Sequence, residues 1–97
     1  TERYGNQATT KKVYVGKVIN YFKKTKIVHI KLEAGELEIM DSIYITGNST
    51  GLVETKLQSL MQDEKQINSA AKGDEVTFHL DDLVRPKDQV YKIVQAY

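Results

Sequence analysis

The chain has 97 residues, 40% hydrophobic and 28% charged, which is enough apolar mass for one enclosed core, too little for two, and far from a disordered composition. Cysteine is absent, excluding a disulfide framework, a thiolate metal site and a cysteine nucleophile, and no apolar run reaches the ~18 residues of a membrane span or forms a secretory leader. The net charge of +1 hides an asymmetry: residues 1–31 carry eight basic residues against Glu2, and the rest carry six basic against twelve acidic.

Residues 1–12 are polar and aperiodic and read as a flexible tail or linker, leaving 13–97 as the domain. From Val13 the residues become β-branched and aromatic, and VYVGKVINYF, the polar turn at Lys23-Lys24-Thr25, and KIVHIKLE read as a hairpin. Val28, Ile30 and Leu32 share its inner face by period-two alternation. A short apolar group around Leu37 and Ile39 follows, then a turn at Met40-Asp41 and the strand SIYITG, with Ile43 and Ile45 inward. After the Gly47–Gly51 loop, LVETKLQSLM reads as one longer strand whose broken alternation predicts a bulge near Ser59. QINSA is a short strand and Ala71–Asp74 a turn. EVTFHL then places Val76, Phe78 and Leu80 inward and His79 outward, and QVYKIV closes the chain behind the only proline, Pro86.

Short strands at spacings of about 8–12 residues, with no convincing helical face, predict an all-β domain. The expected architecture is a small closed Greek-key-type β-barrel of about six to seven strands, since closure removes edges open to aggregation.

Three segments carry a family resemblance: Gly16-Lys17-Val18, Asp41 before Ile43-x-Ile45-x-Gly47, and Ser59-Leu60-Met61 with Ala70-Ala71-Lys72-Gly73-Asp74-Glu75-Val76. They resemble the second-domain β-barrel of translational GTPases such as elongation factor Tu. The opening Val15-Gly16-Lys17-Val18-Ile19-Asn20-Tyr21 and the closing Asp88-Gln89-Val90-Tyr91-Lys92 are more closely similar to stand-alone translation-factor-like barrels and to the C-terminal domain of U-32 (collagenase-like) peptidases. In that peptidase family, some members of which act in tRNA hydroxylation, the resemblance implies an accessory barrel beside a separate catalytic domain. In the translation factors it implies contact with tRNA or a neighbouring protein domain. The chain departs from the family's Gly-Asp turns at Met40-Asp41 and Lys87-Asp88. There either the turn type changes or a non-glycine residue holds positive φ at about 1 kcal/mol.

No Gly-x-x-x-x-Gly-Lys-Ser/Thr phosphate loop is present, so neither nucleotide nor any other cofactor is expected. His29 and His79 fall on outward faces without metal-ligand spacing, Asp63-Glu64 and Asp81-Asp82 read as solvated turns, and no serine has nucleophile-elbow flanks. A non-catalytic binding module, cytoplasmic, without a membrane partner, and a monomer or part of a longer chain, is the expectation. Its candidate contact residues are Lys17, Tyr21, Lys23, Lys24, Lys26 and Lys31 on the first hairpin, where lysines would neutralise RNA phosphates and a ring would stack on a base. Phe22 is expected in the core. The alternative is an accessory domain of a U-32 peptidase-type enzyme that positions substrate or packs on the catalytic domain.

Overall fold

Alternation of inward apolar with outward polar residues governs most strands of the computed structural model, which describes residues 9–96. Ten strands occur among the described residues: β1 (Thr9–Phe22), β2 (Ile27–Leu32), β3 (Glu36–Glu38), β4 (Ser42–Gly47), β5 (Gly51–Lys56), β6 (Leu60–Gln62), β7 (Lys65–Ile67), β8 (Ser69–Ala71), β9 (Glu75–His79) and β10 (Gln89–Ala96). Six of these have five or more residues, and no helix is found among the described residues. The expected all-β class is therefore what the chain adopts. Residues 1–8 of the anticipated tail lie outside the described residues, and Thr9–Lys12 are strand, paired with the end of β10.

The main sheet has eight strands in the order β5-β4-β10-β1-β2-β9-β6-β7, and β3 pairs with β8 as a separate ribbon. The ladder does not close on itself, which corrects the expectation of a closed barrel. The core is nevertheless enclosed: Val15, Val18, Val28, Ile30, Leu32, Leu37, Ile43, Ile45, Leu57, Leu60 and Val76 are all at most 1% exposed. Phe78, Leu80 and Val90 belong to the same cluster.

Three turns supply closures that the ladder lacks. In Glu38–Asp41, Ala71–Asp74 and Arg85–Asp88 the aspartate amide donates to the first residue's carbonyl at 3.0–3.2 Å. The aspartate carboxylate in turn accepts from that first residue's N–H at 2.9 Å. Each third residue, Met40, Gly73 or Lys87, has positive φ, at 77°, 96° and 77°, as a type II turn requires. Its N–H donates to the carbonyl of one buried residue, and that residue's N–H donates back to the aspartate carbonyl. The partners are Leu57, Leu32 and Val18, with bonds of 2.6–2.9 Å. The turns at Met40 and Lys87 thus keep the glycine conformation without glycine, so strain, rather than a change of turn type, is the outcome.

Two register shifts bend β1. Val15 is the extra residue opposite β10, and Ile19 the extra residue opposite β2. The second inverts the alternation beyond Val18, so Ile19 and Asn20 both face solvent, Tyr21 packs on the core, and Phe22 is 46% exposed. The expectation of a core Phe22 is overturned by that inserted residue. The segment read as one strand with a bulge near Ser59 is instead interrupted over residues 57–59. Leu57 leaves the ladder to bond Met40 and Asp41, which ends β5 at Lys56.

Candidate binding surface

The six candidate contact residues fall into two groups rather than one. Lys23, Lys24 and Lys26 occupy the exposed turn between β1 and β2. Lys26 holds φ at 57°, donates its N–H to the Phe22 carbonyl at 2.7 Å, and has its ammonium 3.8 Å from Asp81. Lys17 and Lys31 are cross-strand partners in the middle of the hairpin, five residues back from the end of β1, roughly 15 Å along the strand. Lys17 reaches Glu33 at 3.4 Å.

Tyr21 is not the exposed stacking ring that the sequence reading called for. Its ring packs on the core and its hydroxyl donates to the Leu80 carbonyl at 2.7 Å. Burial, followed by the charges of Asp81 and Asp82, raises its pKa. The displaced ring is Phe22, which the Ile19 insertion turns outward.

A second aromatic arrangement is built by register. Tyr91 in β10 lies directly opposite Tyr14 in β1 on one side and Tyr44 in β4 on the other, so three half-buried tyrosines cross three adjacent strands on the outer face. The Tyr14 and Tyr91 rings meet edge to face, with centroids 5.7 Å apart, a favourable aromatic geometry. The Lys12 ammonium sits 4.8 Å from the Tyr91 centroid. Two hydroxyls are pinned: Tyr14 donates to Glu33 at 2.5 Å, and Tyr91 to Gln89 at 2.7 Å. The bond to Glu33, with burial and the Glu33 charge adding to it, pushes Tyr14 up to about 12. The same bond, assisted by Lys17 and opposed by partial desolvation, lowers Glu33. Sequence reasoning missed this row because it needs the pairing of β10 with both β1 and β4. The available signal was that Tyr44 and Tyr91 occupy outward positions beside buried Ile43, Ile45 and Val90.

Two depressions stand out on the surface of the described residues. One, of about 600 Å³, lies between the Gly47–Gly51 loop and residues 85–89. Asp88, 6% exposed, forms its floor, and its carboxylate accepts from Thr50 Oγ and the Arg85 N–H. Those bonds account for the carboxylate as a structural clasp. The other, of about 340 Å³, is lined by Ser59, His79, Asp81 and Asp82, among others. His79 lies 3.6 Å from Asp81 and is exposed. His29 contacts Glu75 at 3.0 Å, and no cluster of three or more metal-ligating side chains occurs among the described residues.

Comparison with known proteins agrees with this picture of a modular domain. No protein-family model matches the chain. It is 38% identical over 92 residues to a collagenase of Porphyromonas gingivalis strain W83, covering 95% of this chain and 22% of that protein. A second P. gingivalis collagenase is 37% identical, with 26% of its length covered. An uncharacterized protease of Methanocaldococcus jannaschii is 38% identical, with 22% covered. The chain thus spans about a quarter or less of the length of these relatives. Among solved structures, the C-terminal domain of a protein named as a U32 peptidase from Geobacillus thermoleovorans superposes with a TM-score of 0.76 at 15% identity, covering 81% of this chain and 90% of that one. Its selenomethionine variant gives the same TM-score, with 80% and 96% covered. The chain is therefore homologous to a segment of collagenase-type proteases and has the fold of the C-terminal domain of a U32 peptidase.

Proposed function

We propose that the chain is a non-catalytic accessory domain of a U32 peptidase-type enzyme, serving to position a polypeptide substrate against a catalytic part carried elsewhere. The supporting observation is the disproportion of the match: 95% of this chain aligns with 22% of a collagenase, as a self-contained module in a longer enzyme would. The chemistry of the surface supports it as well, for the outward face offers rings and flexible charges rather than a nucleophile with its base. A reducing, cytoplasmic setting is part of the proposal, in keeping with the lack of cysteine.

Deleting the homologous segment from the P. gingivalis collagenase tests the reading. Cleavage of a short peptide should persist, while cleavage of a protein substrate should fall at least tenfold. Equal loss on both, with the truncated enzyme still folded by circular dichroism, would place part of the reaction centre in this segment and overturn the proposal. So would full activity on both.

A second reading rests on the exposed tip lysines Lys23, Lys24 and Lys26, which suit contact with tRNA or a protein of the translation machinery, as in the translation-factor barrels the sequence resembles. Binding to tRNA should then fall with salt with a log–log slope of about −3 for roughly four neutralised phosphates. Charge reversal at the three lysines should abolish it, and no binding at low salt removes this reading.

A further inference from the structure

From the tyrosine row we infer that the outer face of β1, β10 and β4 is a docking site for an extended polyproline II segment of a polypeptide. Tyr14, Tyr91 and Tyr44 sit at paired positions on consecutive strands. Paired Cα atoms alternate between about 4.5 and 5.5 Å, so the outer two tyrosines stand about 10 Å apart. A polyproline II helix rises about 3.1 Å per residue with three residues per turn, repeating every ~9.3 Å. Side chains on one edge of such a helix would therefore meet Tyr14 and Tyr44 in step, with Tyr91 beneath the intervening turn. Stacks of pinned rings are how proline-rich segments are recognised elsewhere, because the ligand is already extended and loses little entropy on binding. Here the pinning is present before any ligand arrives, through Glu33 and Gln89.

Charge selects among occupants. Lys12 lies over the central ring, and Lys17 with its cross-strand partner Lys31 stands at one end, while Glu33 bonds Tyr14 and Glu54 lies opposite Tyr44. Two carboxylates set among three ammonium groups leave little net charge, which suits an uncharged chain, whereas a nucleic-acid track needs a strongly positive groove. A polyproline II backbone makes no internal hydrogen bonds, so its carbonyls remain free to accept. The Lys12 ammonium over Tyr91 is a complementary donor.

The inference rests on the substrate-positioning reading but is tested separately from it. Decaproline titrated into the 97-residue chain, followed by amide and aromatic NMR shifts, should give saturable changes centred on the three tyrosines and none at Lys23–Lys26. A glycine–serine decamer should give none. Tyr91→Ala and Tyr44→Ala should each weaken decaproline binding at least tenfold with the amide spectrum otherwise retained, and Tyr91→Phe should bind within about twofold of the parent. No saturable binding, shifts mapping elsewhere, or binding indifferent to both alanine variants would overturn the inference. Tighter binding of a uridine decamer through the same tyrosines would overturn it in favour of single-stranded nucleic acid. Failure here leaves the segment-deletion result standing, and a deletion without effect leaves decaproline binding standing.

Discussion

The turns Ala71–Asp74 and Arg85–Asp88 are built alike and sit in different surroundings. Both close with an aspartate carboxylate on the first residue's N–H at 2.9 Å, and both latch onto a buried strand residue, Leu32 or Val18. In the first, glycine supplies the positive φ and a Cβ added to it would meet nothing within 4 Å. In the second, Lys87 carries the positive φ, and the buried Asp88 also holds Thr50 and fills the space above Gly47. One local motif thus serves once as a simple reversal and once as a clasp between the β4–β5 loop and β10. The hydrogen bonds a turn makes internally do not tell which role it has. The tertiary contacts of its carboxylate do.

The strongest way to break the contrast is Gly47→Ala. Its Cβ would fall 1.9 Å from Asp88 Oδ1, a collision with a side chain fixed by two hydrogen bonds, and a loss of about 3 kcal/mol or more is expected. Denaturant melts should show the double variant Gly47→Ala, Asp88→Ala to be less damaging than the sum of the singles, because removing the carboxylate relieves the clash. Additive losses would mean that Gly47 is needed for another reason.

Next in size is the carboxylate itself. Asp88→Ala leaves the Arg85 N–H and the Thr50 hydroxyl without their acceptor in a largely buried place, and should cost about 2–3 kcal/mol. The matched Asp74→Ala exposes the Ala71 N–H to water and should cost about 1 kcal/mol or less. Equal costs in thermal melts would erase the distinction between clasp and reversal.

How much of this was readable beforehand follows from the same residues. The inward set Val18, Val28, Ile30, Ile43, Ile45, Val76 and Phe78 is buried as alternation required, because a sheet with one wet face encodes its core at period two. The Asp-ending turns were visible as punctuation, and Met40 and Lys87 as departures from glycine. That the ladder stays open was not readable, since the backbone latches that take the place of the missing strand pairing depend on which buried residue each turn meets. Nor was the site. One inserted residue, Ile19, exchanged the environments of Tyr21 and Phe22, and the tyrosine row exists only once β10 lies between β1 and β4. Period two encodes faces, but not insertions or strand order.

A smaller effect of opposite sign sharpens the comparison. Lys87→Gly and Met40→Gly should each stabilise by about 0.5–1 kcal/mol, because relief of the left-handed strain of about 1–2 kcal/mol exceeds the added unfolded-state entropy of glycine. Both side chains are exposed, so little packing is lost. Gly73→Lys should shift the midpoint the other way by a similar amount. If all three variants left the denaturation midpoint unchanged, the positive φ at these sites would be costless, and the glycine in the Ala71–Asp74 turn would need another explanation.

The last and smallest effect contrasts the Thr50–Asp88 bond with its counterpart on the wet face, where the Tyr14 hydroxyl donates to Glu33. That bond raises Tyr14 to about 12 and lowers Glu33. A folded-state tyrosine pKa above its unfolded value of about 10 stabilises the fold fully below pH 10, and that contribution is lost as pH rises from 10 toward 12. A lowered Glu33 contributes above the unfolded carboxyl value of about 4.3, and its contribution is lost as pH falls through the folded value. Tyr14→Phe should therefore lower stability slightly between about pH 5 and 9, where both contributions are fully present but solvent screening keeps them small, and its profile should converge on the parent's toward both ends. Asp88→Ala should lower the whole plateau. A Tyr14→Phe profile parallel to the parent from pH 9 to 12 would show that the phenol titrates alike in both states, and that the hydrogen bond does not persist in solution.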